Sequence, residues 1–336
     1  MQRSRRWIRT AAIVSLLSLL VLVAMIVAVS GNRADIADLN WPAAVPSDGG
    51  PGAVTVTWLG ISTLLFDDGE TQILTDGTFT RFSMLEIASL WPVSSDIATI
   101  NHALAEFRMN RLAAIVPLHS HFDHAMDAGL VANRGSAVIL GSESTANIAL
   151  GANVPVDQYQ ILANGESRQF GDFTVTLVHS RHAPIMFGNQ PWFPGRIEEP
   201  LSQPARVGAW KNGVVYSVFI AHPRGTALVQ GSAGYVERNF ESRSADVIML
   251  GIAGLKGLGR NYLSSYWFET VTPVGARRIF PIHYDDFTKP FGEVALPSKL
   301  LDNVVVTGGW IDELLRQQQE PPAIELLPFG QPVVLY

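Results

Sequence analysis

Four residues able to bind a metal ion lie within one stretch of the sequence, HSHFDH at residues 119–124. The chain has only 8 histidines in 336 residues, so three within six positions is far from a chance arrangement. Neutral imidazole nitrogens and carboxylate oxygens are donors that Zn²⁺, Mn²⁺ and iron accept. The apolar run at 112–118 predicts a buried strand, and residues 125–133 predict a short helix. We therefore expect the cluster at the carboxyl end of a strand, where α/β proteins place their ligands.

Two further predicted strands lead directly into histidines. The strand at 173–178 is followed by His179 and His182, and either one could serve as a ligand. The strand at 278–282 ends at His283. The remaining two histidines are interpreted as structural: His102 lies on a predicted helix over 96–107, and His222 lies on a turn between strands.

The pattern H-x-H-x-D-H resembles the signature of the metallo-β-lactamase superfamily, and the resemblance extends from about residue 53 to residue 291. Within it, residues 58–63 followed by 73–76 are most similar to the branch of ascorbate-phosphate lactonases and N-acyl-phosphatidylethanolamine phospholipases D. The resemblance implies an α/β (α+β) fold, the four-layer αββα sandwich, as one hydrolase domain over 53–336. Two mixed sheets would pack face to face with helices outside.

The resemblance also implies which residues bind metal. The first site would be formed by His119, His121 and His182, with His179 as the alternative third ligand. The second site would be formed by Asp123, His124 and His283, and Asp123 and His124 would also be catalytic. Zinc is the expected metal, with manganese or iron as alternatives.

Three positions depart from the family pattern. Ser232, after Gly231, stands where relatives have an aspartate that bridges two metals, so we expect one tight metal and a second that is weak or absent. Ile61 replaces a usual histidine, and Gly77 follows Asp76 where the branch has proline. Asp76 is predicted either to orient a ligand imidazole or to be an ordinary turn residue. Asp285 or Asp286 could orient a ligand, or both could be solvated.

The N-terminus carries four arginines in residues 1–10 and then an apolar run of twenty residues at 11–30. Twenty helical residues span about 30 Å, the thickness of the bilayer's hydrocarbon core. Residues 1–30 are therefore predicted to be a signal anchor, with a cleaved signal peptide as the alternative. The arginines should remain cytoplasmic, which places the domain on the periplasmic or extracellular side. The Pro- and Gly-rich segment 31–52 is predicted to be a linker.

Composition limits the possible partners. The formal net charge is −6, and it becomes −10 without the four N-terminal arginines, so binding to nucleic acid is disfavoured. The absence of cysteine excludes disulfides and thiolate ligands. An aromatic stretch within 185–206 is predicted to be either a substrate lid or a packed surface loop.

The sequence therefore predicts a metal-dependent hydrolase that uses a metal-activated water on an ester, lactone or phosphodiester. The substrate would be a small molecule or lipid-like. Two alternatives remain: a β-lactamase, and a non-catalytic metal-binding module with a degenerate second site.

Overall fold

The computed structural model describes residues 31–88, 91–186 and 190–336. Its first sheet has the strand order β16-β1-β2-β3-β5-β6-β7. The neighbours from β16 to β3 pair antiparallel, and those from β3 to β7 pair parallel. The strands are β1 (Thr55–Trp58), β2 (Leu64–Asp67), β3 (Gln72–Thr75), β5 (Leu112–Val116), β6 (Val138–Gly141), β7 (Tyr159–Ile161) and β16 (Pro332–Val334).

The second sheet has the order β15-β14-β13-β12-β11-β9-β8 and is likewise half parallel and half antiparallel. A small pair is formed by β4 (Pro92–Val93) and β10 (Ala205–Arg206). The strands of the second sheet are β8 (Ser167–Phe170), β9 (Phe173–Ser180), β11 (Val215–His222), β12 (Gly225–Gln230), β13 (Val247–Gly251), β14 (Arg278–Ile282) and β15 (Ala323–Ile324).

The helices begin where the sequence supplies caps. The carboxylate of Asp96 accepts hydrogen bonds from two backbone amides of the next turn, and the hydroxyl of Ser142 accepts one from Thr145. The helices are α1 (Met84–Ala88), α2 (Ile97–Glu106), α3 (Phe122–Ala125), α4 (Ala128–Gly135), α5 (Glu143–Gly151), α6 (Leu255–Leu258), α7 (Arg260–Thr270) and α8 (Val304–Arg316).

Alternating strand residues of the first sheet pack into two different hydrophobic cores. Ile73 and Val116 face the second sheet, whereas Leu74 and Ile115 pack against the helix layer that contains Ile100 of α2. This alternation follows from the two-residue period of a strand. The helices α7 and α8 contribute buried residues to the core of the second sheet. The result is a mixed α/β fold of two stacked sheets with helices against their outer faces.

The first part of the segment predicted as a linker, residues 33–44, is packed onto the domain, whereas residues 45–52 are exposed. The indole of Trp41 donates a hydrogen bond to Asp312, and the backbone amide of Ala44 donates one to Leu326. Leu39 and Ala44 are buried. Composition favours a tether here because Pro and Gly are common in linkers, but the apolar residues between them find a place in the core.

The helix expected at 125–133 is formed instead by two short helices, α3 and α4. The predicted signal anchor or signal peptide at 1–30 lies outside the described residues. Among those that are described, no helix is long and apolar enough to cross a membrane.

Candidate metal centre

The carboxyl ends of β3, β5, β9, β12 and β14 meet at one end of the sandwich, and the loops there carry all of the predicted ligands. Two groups of three side chains each have potential ligand atoms within 4.8 Å of one another. The first group is His119, His121 and His182, and the second is Asp123, His124 and His283. The structure therefore brings together all six residues that the sequence singled out.

In the first group, two histidines of the motif point ring nitrogens at each other. Nε2 of His119 lies 2.9 Å from Nδ1 of His121. The ring of His182 lies 4.9 Å, centroid to centroid, from each of those two rings. His119 is fully buried, and its Nδ1 has no hydrogen-bond partner among the described residues.

In the second group, Asp123 lies between two imidazoles. Its Oδ2 is 3.5 Å from Nε2 of His124 and 3.5 Å from Nε2 of His283. The same two nitrogens are 3.2 Å apart. The ring of His119 is 3.9 Å from that of His124, so the two groups adjoin.

The environment sets the two groups to different charge states. Burial lowers the pKa of His121 to about 4 and that of His182 to about 3. Burial alone would raise the pKa of Asp123, but His124 and His283 outweigh it and hold that pKa well below its usual range. At neutral pH the first group thus offers neutral imidazoles and the second an ionised carboxylate. These are the forms that bind a divalent cation, so the residues fit such an ion. Burial alone would lower the pKa of His124, but its two carboxylate neighbours outweigh it and raise that pKa, so metal binding there would release a proton.

Asp76 orients a site histidine, as one of the two readings of the sequence predicted. Its Oδ2 accepts a hydrogen bond from Nδ1 of His124 at 2.8 Å, and its Oδ1 accepts one from the amide of Leu118. This contact fixes the His124 ring so that Nε2 faces the site. Asp76 has a φ of 54°, and Gly77 has a φ of 77°, which proline cannot adopt. This turn therefore requires a residue other than the proline that the similar branch has at the position of Gly77.

The loop that carries His182 is held by the turn after β12. The hydroxyl of Ser232 accepts a hydrogen bond from the amide of Ala183 at 3.0 Å, and the carbonyl of Ala183 accepts one from Nδ1 of His182 at 2.8 Å. Gly234 lies so close to Arg181 that a Cβ there would be 2.1 Å from its carbonyl oxygen. Only glycine fits this approach. Ser232 thus lies beside the loop of a predicted ligand.

Ile61, where the similar branch has histidine, contributes its backbone to the site. Its carbonyl accepts a hydrogen bond from the amide of His283 at 2.9 Å, and its amide donates to the carboxylate of Asp285. Both Ile61 and His283 have positive φ values, 52° and 53°. A positive φ is an outlier for a β-branched residue such as Ile61, so it marks local strain beside His283. Asp286 instead forms an ion pair with Arg33.

The aromatic loop after His182 lies against the metal cluster. The carbonyl of Trp192 accepts a hydrogen bond from Nε2 of His121 at 2.7 Å, and the ring of Phe193 is 6.3 Å from that of His121. Residues 187–189 of this loop are outside the described part of the chain. Phe193 and Ile197 of the loop pack into a hydrophobic cluster with Phe122, as the packed-loop alternative predicted. The Trp192 contact also directs Nδ1 of His121 into the metal cluster.

Asn212 was not singled out from the sequence, yet it connects this loop to the histidine motif. Its amide donates to the carbonyl of Phe193, its side chain accepts from the amide of Gly195, and its carbonyl accepts from the amide of Ser120. These contacts join residues far apart in the chain, so no local sequence signal announces them. A second missed residue is Asp127, which is fully buried and accepts hydrogen bonds from the amides at 79 and 80.

The other histidines lie away from the cluster. His179 is exposed on β9 with its ring near Tyr216. His102 is paired with Glu106 on the surface of α2. His222 lies 3.7 Å from Asp68 on the opposite end of the sandwich.

Comparisons with known proteins agree with this geometry. The family model described as "Beta-lactamase superfamily domain" matches residues 55–283. A curated relative, exodeoxyribonuclease YycJ of Bacillus anthracis, is 33% identical over 88 residues, which is 25% of this chain and 33% of that protein. The match therefore spans about a third of the length of this relative.

Solved structures with a similar fold share little sequence. CmlA, a diiron β-hydroxylase from Streptomyces venezuelae, is 13% identical with a TM-score of 0.50, covering 85% of this chain and 55% of its own. Igni18, a metallo hydrolase from the archaeon Ignicoccus hospitalis KIN4/I, is also 13% identical with a TM-score of 0.46, covering 84% and 99%.

The family match covers both halves of the sandwich and all six clustered residues, from the motif to His283. The chain belongs to the β-lactamase superfamily and is a metal-dependent hydrolase of that superfamily.

Proposed function

We propose that the protein is a membrane-anchored hydrolase that uses a metal-activated water to cleave an ester, lactone or phosphodiester. The observation that carries this proposal is the position of Asp123 between His124 and His283, directly beside three neutral imidazoles. A hydrolase needs a site for a metal and an ionised base close to it, and this arrangement provides both.

Zinc, or alternatively manganese or iron, held by His119, His121 and His182 would lower the pKa of a coordinated water to about 7 and polarise the scissile oxygen. The chain's own residues supply the rest. Asp123 lies beside the first group, 3.5 Å from Nε2 of His124, and this position makes it the group proposed to accept a proton from the attacking water. Asp76 holds His124 in one orientation, which keeps Nε2 of His124 beside Asp123.

We further propose that the first group holds one metal tightly and that the second group, Asp123, His124 and His283, holds another only weakly. In support, neither group of three includes a further acid among the described residues. Ser232 cannot supply the negative charge that an aspartate would share between two cations. The carboxylates of Asp76 and Asp285 are engaged by His124 and by the amide of Ile61.

For the substrate class, we favour the lactonase-like and phospholipase D-like branch over a β-lactamase. The similar motifs at 58–63 and 73–76 and the orienting role of Asp76 support this choice. Of the three bonds proposed, the phosphodiester is supported by the name of the relative YycJ, an exodeoxyribonuclease that matches 25% of the chain. The net negative charge argues against nucleic acid itself as the substrate.

We propose that residues 11–30 anchor the chain in the cytoplasmic membrane and that the domain faces the periplasm or exterior. Support comes from the length of the apolar run and from the four arginines that precede it. Cleavage of this segment as a signal peptide, followed by secretion, is the alternative.

The test is a substrate screen on the purified full chain with added Zn²⁺ or Mn²⁺. The probes are bis(p-nitrophenyl) phosphate, p-nitrophenyl acetate, an acyl-homoserine lactone and a chromogenic cephalosporin. We expect hydrolysis of at least one of the first three, and a loss of roughly 10²-fold or more in Asp123→Asn, because the variant lacks the proton acceptor. Cleavage of the cephalosporin alone would indicate a β-lactamase. Metal binding without any hydrolysis would indicate a non-catalytic module.

A further inference from the structure

The beginning of the described chain is fixed to the loop that follows His283. The carbonyl of Asn32 accepts a hydrogen bond from the amide of Lys299 at 2.7 Å. Arg33 forms an ion pair with Asp286 at 2.5 Å and donates to the carbonyl of Leu296 at 2.7 Å. Residue 32 is therefore bound directly to the domain, with no flexible linker between them. Whatever precedes residue 32 must approach the domain at this place.

Exposed apolar side chains surround the same place. Leu300 and Leu301, directly after Lys299, are 59% and 58% exposed. Ile185 and Met186, which follow the predicted ligand His182, are 40% and 46% exposed. We call these four residues the mouth patch. Large exposed aliphatic residues of this kind mark interaction surfaces when they are grouped.

The two halves of the mouth patch are joined through the loop before α6. A Cβ on Gly254 would be 2.7 Å from the side chain of Ile185, so these two residues are in contact. The amide of Gly254 donates a hydrogen bond to Asp302, the neighbour of Leu301. Ile185 itself lies three residues after the predicted ligand His182. The mouth patch thus borders the metal cluster and the entry point of the chain.

We infer that the mouth patch docks on the surface of a phospholipid bilayer and holds the mouth of the metal cluster against the lipid headgroups. This inference rests on the proposed anchoring by residues 11–30. The apolar run ends two residues before Asn32, and two extended residues reach only about 7 Å. The domain face at Asn32 must therefore lie at the membrane surface, and that face carries the mouth patch.

The local chemistry agrees with a bilayer as the occupant. Lys299 is exposed directly before Leu300, and Lys256 is exposed on α6, the helix that begins after Gly254. Leucines and isoleucines that insert at the headgroup boundary, flanked by lysines, are typical of surfaces that bind anionic membranes.

The chain has no cysteine, so a single introduced cysteine gives a single labelled position. The experiment uses the full chain reconstituted in vesicles of phosphatidylcholine and phosphatidylglycerol. A bimane label is attached at Leu301→Cys, and its quenching by nitroxide-headgroup lipid is measured. The matched control is Val156→Cys, which is 78% exposed and precedes β7 at the far end of the sandwich.

We expect several-fold stronger quenching at position 301 than at position 156, and loss of that difference when Ile185→Glu and Leu300→Glu are added. Equal quenching at the two positions in chain that floats with the vesicles would overturn the docking while leaving the anchor intact. A change in the fluorescence of the label at position 301 that depends on protein concentration and not on the nitroxide lipid would also overturn the docking. It would indicate that a second copy of the chain covers the mouth patch. Chain that does not float with vesicles would overturn the anchoring itself.

Discussion

His182→Ala is expected to remove most of the bound metal from the purified protein, whereas His179→Ala is expected to retain it. The ring of His182 lies 4.9 Å from the rings of both His119 and His121, and burial keeps its imidazole neutral. The side chain of His179 is exposed on β9, and its backbone amide donates a hydrogen bond to Asn164, away from the metal cluster. The loss of a direct ligand should weaken metal binding by more than the roughly 10- to 100-fold expected for an outer partner.

The measurement is metal content per chain by elemental analysis after dialysis, together with circular dichroism to show that both variants are folded. His179→Ala is the matched control because it removes the same side chain from the end of the same strand. Equal metal loss in the two variants, or loss only in His179→Ala, would show that the site uses the other histidine.

Ser232→Asp is expected to raise the affinity for a second metal by about tenfold or more, which corresponds to ~1.4 kcal/mol. The substitution places a carboxylate on the turn that holds the His182 loop, and an added anion near two dications offsets their repulsion. The wild type is expected to hold one metal tightly and a second weakly. Titration calorimetry of the metal-free protein with Zn²⁺ resolves the two affinities.

Ser232→Ala is the control for this result. It removes the hydroxyl that accepts the Ala183 amide hydrogen bond but adds no charge, so it should leave the second affinity low. Two tightly held metals in the wild type would contradict the prediction that the second metal is bound weakly. Another group would then have to supply the shared anion, because Ser232 itself cannot.

Much of the site was predictable because each predicted ligand closely follows a strand that the local sequence reveals. The motif at 119–124 follows a strand whose apolar run is unmistakable, and β9 and β14 lead into their histidines in the same way. The choice of His182 over His179 came from similarity to the family and not from local physics. The structure places His182 in the cluster, which agrees with that choice.

What the sequence could not predict depends on contacts between distant segments. Asn212 joins the aromatic loop to Ser120 through backbone groups that any residue type could supply. Ile61 supports His283 in the same way, so its side chain gives no hint of the role. The packing of residues 33–44 was missed because this segment has the composition of a linker, and the distant partners of its few apolar residues cannot be seen in the local sequence.

Removal and return of the metal test whether the six clustered residues work through a bound ion. The full chain is stripped with a chelator, its hydrolysis of the best substrate from the screen is assayed, and Zn²⁺ or Mn²⁺ is then added back in steps. We expect negligible hydrolysis by the stripped protein and recovery that is nearly complete at one metal per chain, with no recovery in His182→Ala at the same metal concentration. Full activity in the stripped protein would contradict this expectation, because the six clustered residues would then act without the ion they are arranged to hold.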